Sequence, residues 1–196
     1  TKPKKLYKYE AFTEQSLKNL KAQAIYFGSP KNFNDPYDCA LTPVITPPSD
    51  SEVESIRANL LDELLLHTLA AEIPNISTQN LREMFLGISK DALKIAQENF
   101  MQRGISCFSE VNDELLMWSH YGGRYKGFCL ECETSQQPFE KMRKVSYSTK
   151  MPLIEVATLL LKNDFETVMD LLSTKSTSWA YEREWRVLHA VAGTTY

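Results

Sequence analysis

The stretch WAYEREWRVLHAVA, residues 179–192, joins a charged aromatic segment to an apolar one. Its apolar part, from Glu184 onward, predicts a strand that closes the sheet. Residues two apart in a strand project from one face, so Glu182 and Glu184 would lie side by side, next to Arg183 and Arg186. Two carboxylates on one edge can bind ribose hydroxyls, stabilise a cationic transition state or bind a metal ion. Weighed alone, the pattern favours a simpler interpretation, a surface ladder of ion pairs.

Five earlier segments also have the composition and spacing of strands. They are KKLYKYEAF (4–12), AIYF (24–27), GISCFSE (104–110), YKGFCLECE (125–133) and KMRKVSYS (141–148). Helical segments separate several of these strands along the chain. This order predicts an α+β fold with a mixed, mostly antiparallel sheet.

Two of the predicted helices flank the first and last strands. Residues 13–23 begin with Thr13, a good N-cap, and the helix that follows should point Leu17 and Leu20 inward. Residues 152–175 carry an apolar run after Pro152, which suits the first turn of a helix. We therefore expect a short helix over residues 13–23 and helical structure over residues 152–175.

Residues 49–102 carry apolar positions at helical spacing and no strand signal. We interpret this block as a helical insertion within a single domain that spans residues 1–196. Packing is its expected role.

The composition narrows the class of protein. The chain has 196 residues and a formal net charge of −3, so it offers no overall basic field for nucleic acid. Cys129 and Cys132 form a C-x-x-C pair, but they fall in an alternating strand that would point them to opposite faces. We expect reduced structural thiols, no bound metal, no membrane segment and a cytoplasmic protein.

The segment FNDPYD lies in a long loop after the second strand. Asn34, Asp35 and Pro36 have the chemistry of a tight turn, in which side chains bond the local backbone. A structural role explains Asn34 and Pro36 well. Asp38 remains open to a role in a site, because long ordered loops are often functional.

A short helix, ELLMWSHY at residues 114–121, should begin after a cap at Asn112 or Asp113 and end at Gly122–Gly123. It is unusually aromatic. Tyr121, at its end, either stacks on a flat ligand or packs against the sheet.

Taken together, the motifs resemble a known family. IYFGSPKNFNDPYDC, GISCFSE, LLMWSHYGGRYKGFCLE and WAYEREWR, in this order with LYKY before them and KVSY before the last, are similar to an uncharacterised bacterial family catalogued as a domain of unknown function. The resemblance runs from residue 6 to about residue 188, outside the helical insertion. One departure is Tyr125, where the family pattern would have a histidine.

The same motifs bear a more distant resemblance to ADP-ribosyltransferases, which split NAD at a compact sheet. That resemblance implies a catalytic Glu184, which binds the nicotinamide ribose, and a Glu182 that orients the acceptor. It also implies a set of residues that bind NAD, namely Lys8, Tyr9, Phe108, Ser109 and Tyr121. Lysine at position 8 departs from the usual His or Arg and lacks arginine's bidentate geometry. NAD would be a substrate, and the acceptor a protein, a nucleic acid or water.

Two other functions compete with an NAD-consuming enzyme. A metal-dependent hydrolase or nuclease would gather Asp35, Asp38, Glu110 and Glu184 around one ion. A non-catalytic sensor or interaction module would keep the charged and aromatic motifs buried, paired and far from any cleft.

Overall fold

The computed structural model describes residues 2–35, 37–39, 43–64, 73–162 and 165–196. Its main feature is a five-stranded sheet, made of β1 (Lys5–Glu10), β4 (Gly104–Ser109), β5 (Phe128–Glu133), β6 (Arg143–Lys144) and β10 (Glu184–His189). The strand order is β5-β1-β4-β10-β6, and every neighbouring pair is antiparallel. The predicted α+β class with a mostly antiparallel sheet is confirmed.

Shorter strand pairs accompany this sheet. β2 (Tyr26–Phe27) pairs antiparallel with β11 (Thr194–Thr195), and β7 (Ser146–Ser148) pairs parallel with β9 (Thr174–Ser176). A third pair, also parallel, joins β3 (Val44–Thr46) to β8 (Leu153–Glu155). The helices are α1 (Glu14–Ala22), α2 (Asp50–Leu64), α3 (Thr78–Phe100), α4 (Leu115–His120), α5 (Val156–Lys162) and α6 (Phe165–Leu171).

Two compact units can be distinguished. The first comprises residues 1–40, 99–150 and 173–196, and the second comprises residues 41–98 and 151–172. The first contains the five-stranded sheet, and the second contains α2, most of α3, α5, α6 and the β3–β8 pair. Residues 49–102 are helical wherever they are described, apart from a few linking residues. Whether the chain folds as the single domain predicted from the sequence stays a prediction.

Each unit has its own buried apolar cluster. In the first unit the cluster lies against the large sheet and consists of Leu6, Phe27, Phe108, Phe139, Met142, Trp185 and Val187. In the second unit α2, α3 and α5 bury Val53, Ile56, Leu81, Phe85, Val156 and Ala157. In the first cluster Trp185 and Val187 lie two residues apart on β10, as strand alternation requires, and helical spacing supplies most of the second.

The ends of two helices differ from the sequence prediction in detail. Thr13 caps α1 as predicted, but Ser16 completes a capping box and takes the buried position, leaving Leu17 and Leu20 nearly half exposed. Glu114, rather than Asn112 or Asp113, caps α4 by accepting the amide N–H of Leu116.

The prediction of helical structure over residues 152–175 is confirmed in the middle of the segment, where α5 and α6 lie, and is wrong at its two ends, which form β8 and β9. β8 pairs with β3 and β9 pairs with β7, so pairing with distant strands outweighs helical propensity at both ends of the segment.

None of the helices in the described part of the chain combines the length and apolar character needed to cross a membrane.

Candidate functional site

A cavity of about 510 Å³ opens beside the large sheet of the first unit. A volume of this size suits a small-molecule ligand. The residues predicted to form the site all line it: Lys8, Tyr9, Phe108, Ser109, Tyr121, Glu182 and Glu184. They come from segments that are far apart in the sequence, and the fold brings all of them to one place.

The register of three neighbouring strands explains part of this convergence. On β4, Ser109 pairs with Tyr7 of β1 on one side and with Glu184 of β10 on the other. Paired residues project from the same face of a sheet, so Ser109 and Glu184 share one face, and Lys8 and Phe108, each one residue away along their strands, project from the other. Lys8 and Phe108 nevertheless border the cavity.

A buried cluster of charges forms one wall of the cavity. The Lys175 ammonium lies 2.6 Å from a Glu182 oxygen, 3.2 Å from an Asp38 oxygen and 3.3 Å from a Glu184 oxygen. Arg186 donates to both Asp38 oxygens at 2.7 Å and, through Nε, to Glu184 at 2.8 Å. All five side chains are at most 6% exposed. We call this set the charge cluster.

The two glutamates of the charge cluster lie on different elements, and not on one strand as predicted. Glu182 ends a 3₁₀ helix, Thr177–Glu182, and only Glu184 lies on β10. Arg183 between them has φ 44° and ψ 51°, a left-handed conformation that turns the chain between the two elements. Both carboxylates nevertheless accept hydrogen bonds from the Lys175 ammonium.

Within the charge cluster, the pKa values of the two glutamates shift in opposite directions. Burial would raise the pKa of Glu184, but Arg186 and Lys175 outweigh it and hold that pKa at about 2. For Glu182, burial and the neighbouring Glu184 charge raise the pKa despite the contact with Lys175. Burial opposes the Lys175 charge, but the three carboxylates outweigh it and raise the lysine pKa. Lys175 and Glu184 are therefore both charged at neutral pH.

Tyr121 closes the charge cluster on the side of the cavity. Its hydroxyl donates to Glu182 Oε1 at 2.6 Å and lies 3.1 Å from Asn34 Oδ1. Burial, followed by the Glu182 charge, raises the tyrosine pKa well above its usual value, so the phenol stays protonated. Tyr121 is thus hydrogen-bonded to Glu182 and also lines the cavity, and its stacking on a flat ligand stays a prediction.

Two hydroxyl groups hold the segments around the cavity together. The Ser109 hydroxyl donates to the carbonyl of Glu182 at 2.6 Å and accepts the amide N–H of Val111. The Tyr9 hydroxyl donates to the carbonyl of Val111 at 2.9 Å. Ser109 is fully buried, so it fixes the backbone at Glu182 rather than presenting a nucleophile.

Lys8 is less constrained than Lys175. Its ammonium lies 3.4 Å from the carbonyl oxygen of Cys107, 3.6 Å from Glu10 and 5.3 Å from the centre of the Phe108 ring. These are long, partly exposed contacts. Lys8 is therefore held by weaker contacts than Lys175.

The loop that contains FNDPYD also reaches the cavity. Asn34 and Asp38 line it. Asp35 instead accepts the amide N–H of Tyr37 at 2.9 Å, which is the local turn contact expected of this motif. Pro36 lies outside the described residues. The turn interpretation therefore holds for Asp35, whereas Asn34 faces the cavity beside Tyr121.

The carboxylates proposed for a metal site do not gather around one point. Glu110 accepts from Lys144 and from the Trp185 indole, and Asp35 serves its own turn. Across the described ranges of the chain, no group of three or more His, Cys, Asp or Glu side chains has the arrangement of a metal site. Asp38 and Glu184 bind Arg186 and Lys175 instead.

Sequence reasoning missed Lys175 as a member of the site. Lys175 ends the segment predicted to be helical, residues 152–175, and no neighbouring residue in the sequence indicates that its side chain is buried. Arg186 carried a signal that could have been used, because it lies two residues after Glu184 on the same strand face.

Comparisons with known proteins place part of the chain in a family context. No curated protein and no solved structure matches the chain significantly. Residues 117–187 match the sequence model of a family described as "Protein of unknown function (DUF2971)". The matched segment contains Tyr121, Lys175, Glu182, Glu184 and Arg186, so it supplies most of the charge cluster. The resemblance to a family of unknown function is confirmed over residues 117–187, and that family's description names no reaction.

Proposed function

We propose that the cavity of the first unit binds NAD and cleaves its bond between nicotinamide and ribose, as an NAD glycohydrolase or an ADP-ribosyltransferase. One observation carries the proposal. The five residues assigned to NAD binding and the two assigned to catalysis on sequence resemblance all line one cavity of suitable size. An ADP-ribosyltransferase-like arrangement of the sheet is part of the proposal.

The charge of the cavity suits this reaction. The charge cluster has three carboxylates and two cations, which leaves one net negative charge when all are ionised. Breaking the bond from C1′ to the nicotinamide nitrogen leaves positive charge on the ribose and returns the electron pair to nicotinamide. A preorganised negative charge beside C1′ stabilises that transition state.

The two glutamates take different roles because their pKa values move apart. Glu184, with a pKa of about 2, stays ionised and stabilises the cationic ribose. Glu182 has a raised pKa, which suits a general base that accepts the proton of the attacking group. The acceptor, water or a nucleophile on a protein or nucleic acid, then forms the new bond to C1′.

The aromatic lining holds the ring that departs. Tyr9 and Tyr121 line the cavity together with the carboxylates. The nicotinamide ring of NAD is positively charged, and an aromatic face attracts a cation within about 6 Å of its centre. Lys8 supplies a partly free ammonium for the NAD phosphates.

Nicotinamide release tests the proposal. Purified protein is incubated with NAD, and free nicotinamide is measured for the wild type, for Glu184→Gln and for Glu131→Gln as the control. Glu131 lies exposed on β5, where it pairs only with Lys5 and Tyr7 among the contacts described. We expect Glu184→Gln to lose about 10²–10³-fold in kcat, as for the loss of one electrostatic stabiliser, and the control to keep its rate.

The proposal is overturned if no nicotinamide is released with water, protein and nucleic-acid acceptors supplied, and NAD causes no thermal shift.

The contacts of Glu184 favour a second candidate function, since Arg186 and Lys175 already contact both of its oxygens. A protein with so well-paired a carboxylate suits a non-catalytic sensor that binds the nucleotide. Binding of NAD without turnover, by wild type and variants alike, would identify that function.

A further inference from the structure

Three aromatic side chains group together at the edge of the cavity. Ring centres are 6.0 Å apart for His120 and Trp179, 6.0 Å for Trp179 and Tyr181, and 6.4 Å for His120 and Tyr181. His120 ends α4, and the other two lie on the Thr177–Glu182 helix. We call these three side chains the aromatic platform.

The aromatic platform differs from the ring pairs that lie in the core of the first unit. Phe108 and Phe139, for example, are at most 4% exposed and belong to the core. His120 is exposed, and Trp179 and Tyr181 are only half-buried. Their ring planes are inclined to one another by 26° to 58°, so another planar group can stack on one of these rings and contact the others at their edges.

The aromatic platform is continuous with the cavity. His120 lines the cavity, and the Lys175 ammonium lies 4.9 Å from the centre of the Trp179 ring. Tyr181 immediately precedes Glu182 in the chain. A ligand whose reacting end meets the charge cluster would therefore have its remaining part next to the aromatic platform.

We propose that the aromatic platform is a second subsite, which stacks on a nucleobase of the same small ligand that enters the cavity. The inference rests on the proposed function and deepens it, because it assigns the site to dinucleotides rather than to mononucleotides. Base stacking on aromatic side chains needs no base-specific contacts, since every base has a π-face. The net charge of −3 favours a small ligand over a nucleic-acid strand.

Comparing two substrates tests the subsite. NAD carries an adenine that nicotinamide mononucleotide lacks, while both carry the bond that breaks. The ratio of kcat/KM for NAD to kcat/KM for the mononucleotide is measured in the wild type, in Trp179→Ala and Tyr181→Ala, and in Trp179→Phe, which keeps a ring. We expect each alanine variant to lower this ratio about 10-fold through KM for NAD, and Trp179→Phe to keep most of it. An unchanged ratio in both alanine variants overturns the subsite.

A binding measurement separates failure of the subsite from failure of the proposed function. If neither substrate is turned over, calorimetry with adenosine monophosphate is run on the wild type and Trp179→Ala. Binding that weakens about 10-fold in the variant keeps the subsite while the proposed reaction falls. No binding of adenosine monophosphate overturns the subsite. If the protein binds single-stranded oligo(dA) but not adenosine monophosphate, the aromatic platform is a nucleic-acid site and the proposed subsite is overturned.

Discussion

Lys175 holds together three carboxylates that would otherwise repel one another. Asp38, Glu182 and Glu184 all lie within 3.3 Å of its ammonium, and the lysine side chain is 3% exposed. Removing one member of a buried ion cluster leaves uncompensated charge in a medium that solvates it poorly. Such losses cost much more than the loss of an exposed pair.

Replacement of this lysine is the first prediction at the residue scale. We expect Lys175→Met to lower the free energy of unfolding by about 3–5 kcal/mol, measured by urea denaturation at pH 7. Lys5→Met serves as the control, because Lys5 pairs with Glu131 at an exposed position. The control should change the urea midpoint little. Equal shifts for the two variants would show that the charge cluster is not the source of the effect.

The second prediction at this scale concerns the pH dependence of stability. The folded-state pKa of Glu184 is about 2, below the reference value of 4.5, so the folded state favours the ionised form. A lowered pKa contributes stability above the unfolded-state pKa, and that stability is lost as the pH falls from 4.5 towards 2. The shift corresponds to about 3 kcal/mol.

Glu184→Gln isolates this contribution. The difference in unfolding free energy between wild type and variant, measured in urea from pH 6 to pH 2.5, should shrink as the pH falls below 4.5. Glu131→Gln provides the exposed comparison and should leave the acid limb nearly unchanged. A difference for Glu184→Gln that stays constant with pH would contradict the ionised, ion-paired state described here.

At the scale of elements, close backbone approach decides the junction of α4, β5 and β1. A Cβ atom built on Gly127 would lie 2.1 Å from the carbonyl oxygen of Glu10 and 2.8 Å from that of Gly122. Both neighbours are backbone atoms and cannot turn away. The glycine in the KGFC motif is therefore required by sterics at the start of β5, next to the strand that carries Lys8 and Tyr9.

Gly127→Ala tests this requirement. We expect the variant to lose about 3 kcal/mol in urea denaturation, because β1 and β5 must separate to admit the methyl group. Gly28→Ala is the matched control in the same unit, since its added Cβ would meet only a Tyr26 ring carbon at 3.7 Å. The prediction fails if the two alanine variants have the same stability.

The elements also show how far the sequence could lead. β1, β4 and β10 were predicted because their apolar residues have strand spacing and turn residues bound them. The ends of the 152–175 stretch were misread, because its strands β8 and β9 are only three residues each and form by pairing with β3 and β7. Pairing of that kind depends on residues far away in the sequence, which a local pattern does not contain.

The same limit applies to the site. Motif resemblance carries long-range information that spacing lacks, and the seven residues to which it points border one cavity; their roles stay a prediction. Lys175 carries no local signal, since the β7–β9 pairing brings its strand to the charge cluster. Glu182 borders the cavity, but it ends a 3₁₀ helix instead of lying on the predicted strand, because the left-handed turn at Arg183 has no glycine to announce it.

For the whole molecule, the open question is how many cooperative units fold. The two units bury separate apolar clusters, and the second is assembled from residues 41–98 and 151–172. A hydrophobic core of its own is what allows a unit to fold alone. We therefore expect two unfolding transitions, against the single domain predicted from the sequence.

Phe85→Ala tests this expectation, because two probes report on different units. All three tryptophans, at positions 118, 179 and 185, belong to the first unit, whereas α2 and most of α3, with 15 and 23 residues, dominate the helical circular dichroism from the second. Phe85 is fully buried in the second cluster, so its truncation should cost about 3–5 kcal/mol. We expect the urea midpoint from circular dichroism to fall while the midpoint from tryptophan fluorescence stays within error. Midpoints that move together would instead establish one cooperative domain, and the charge cluster would then depend on the helical insertion for its stability.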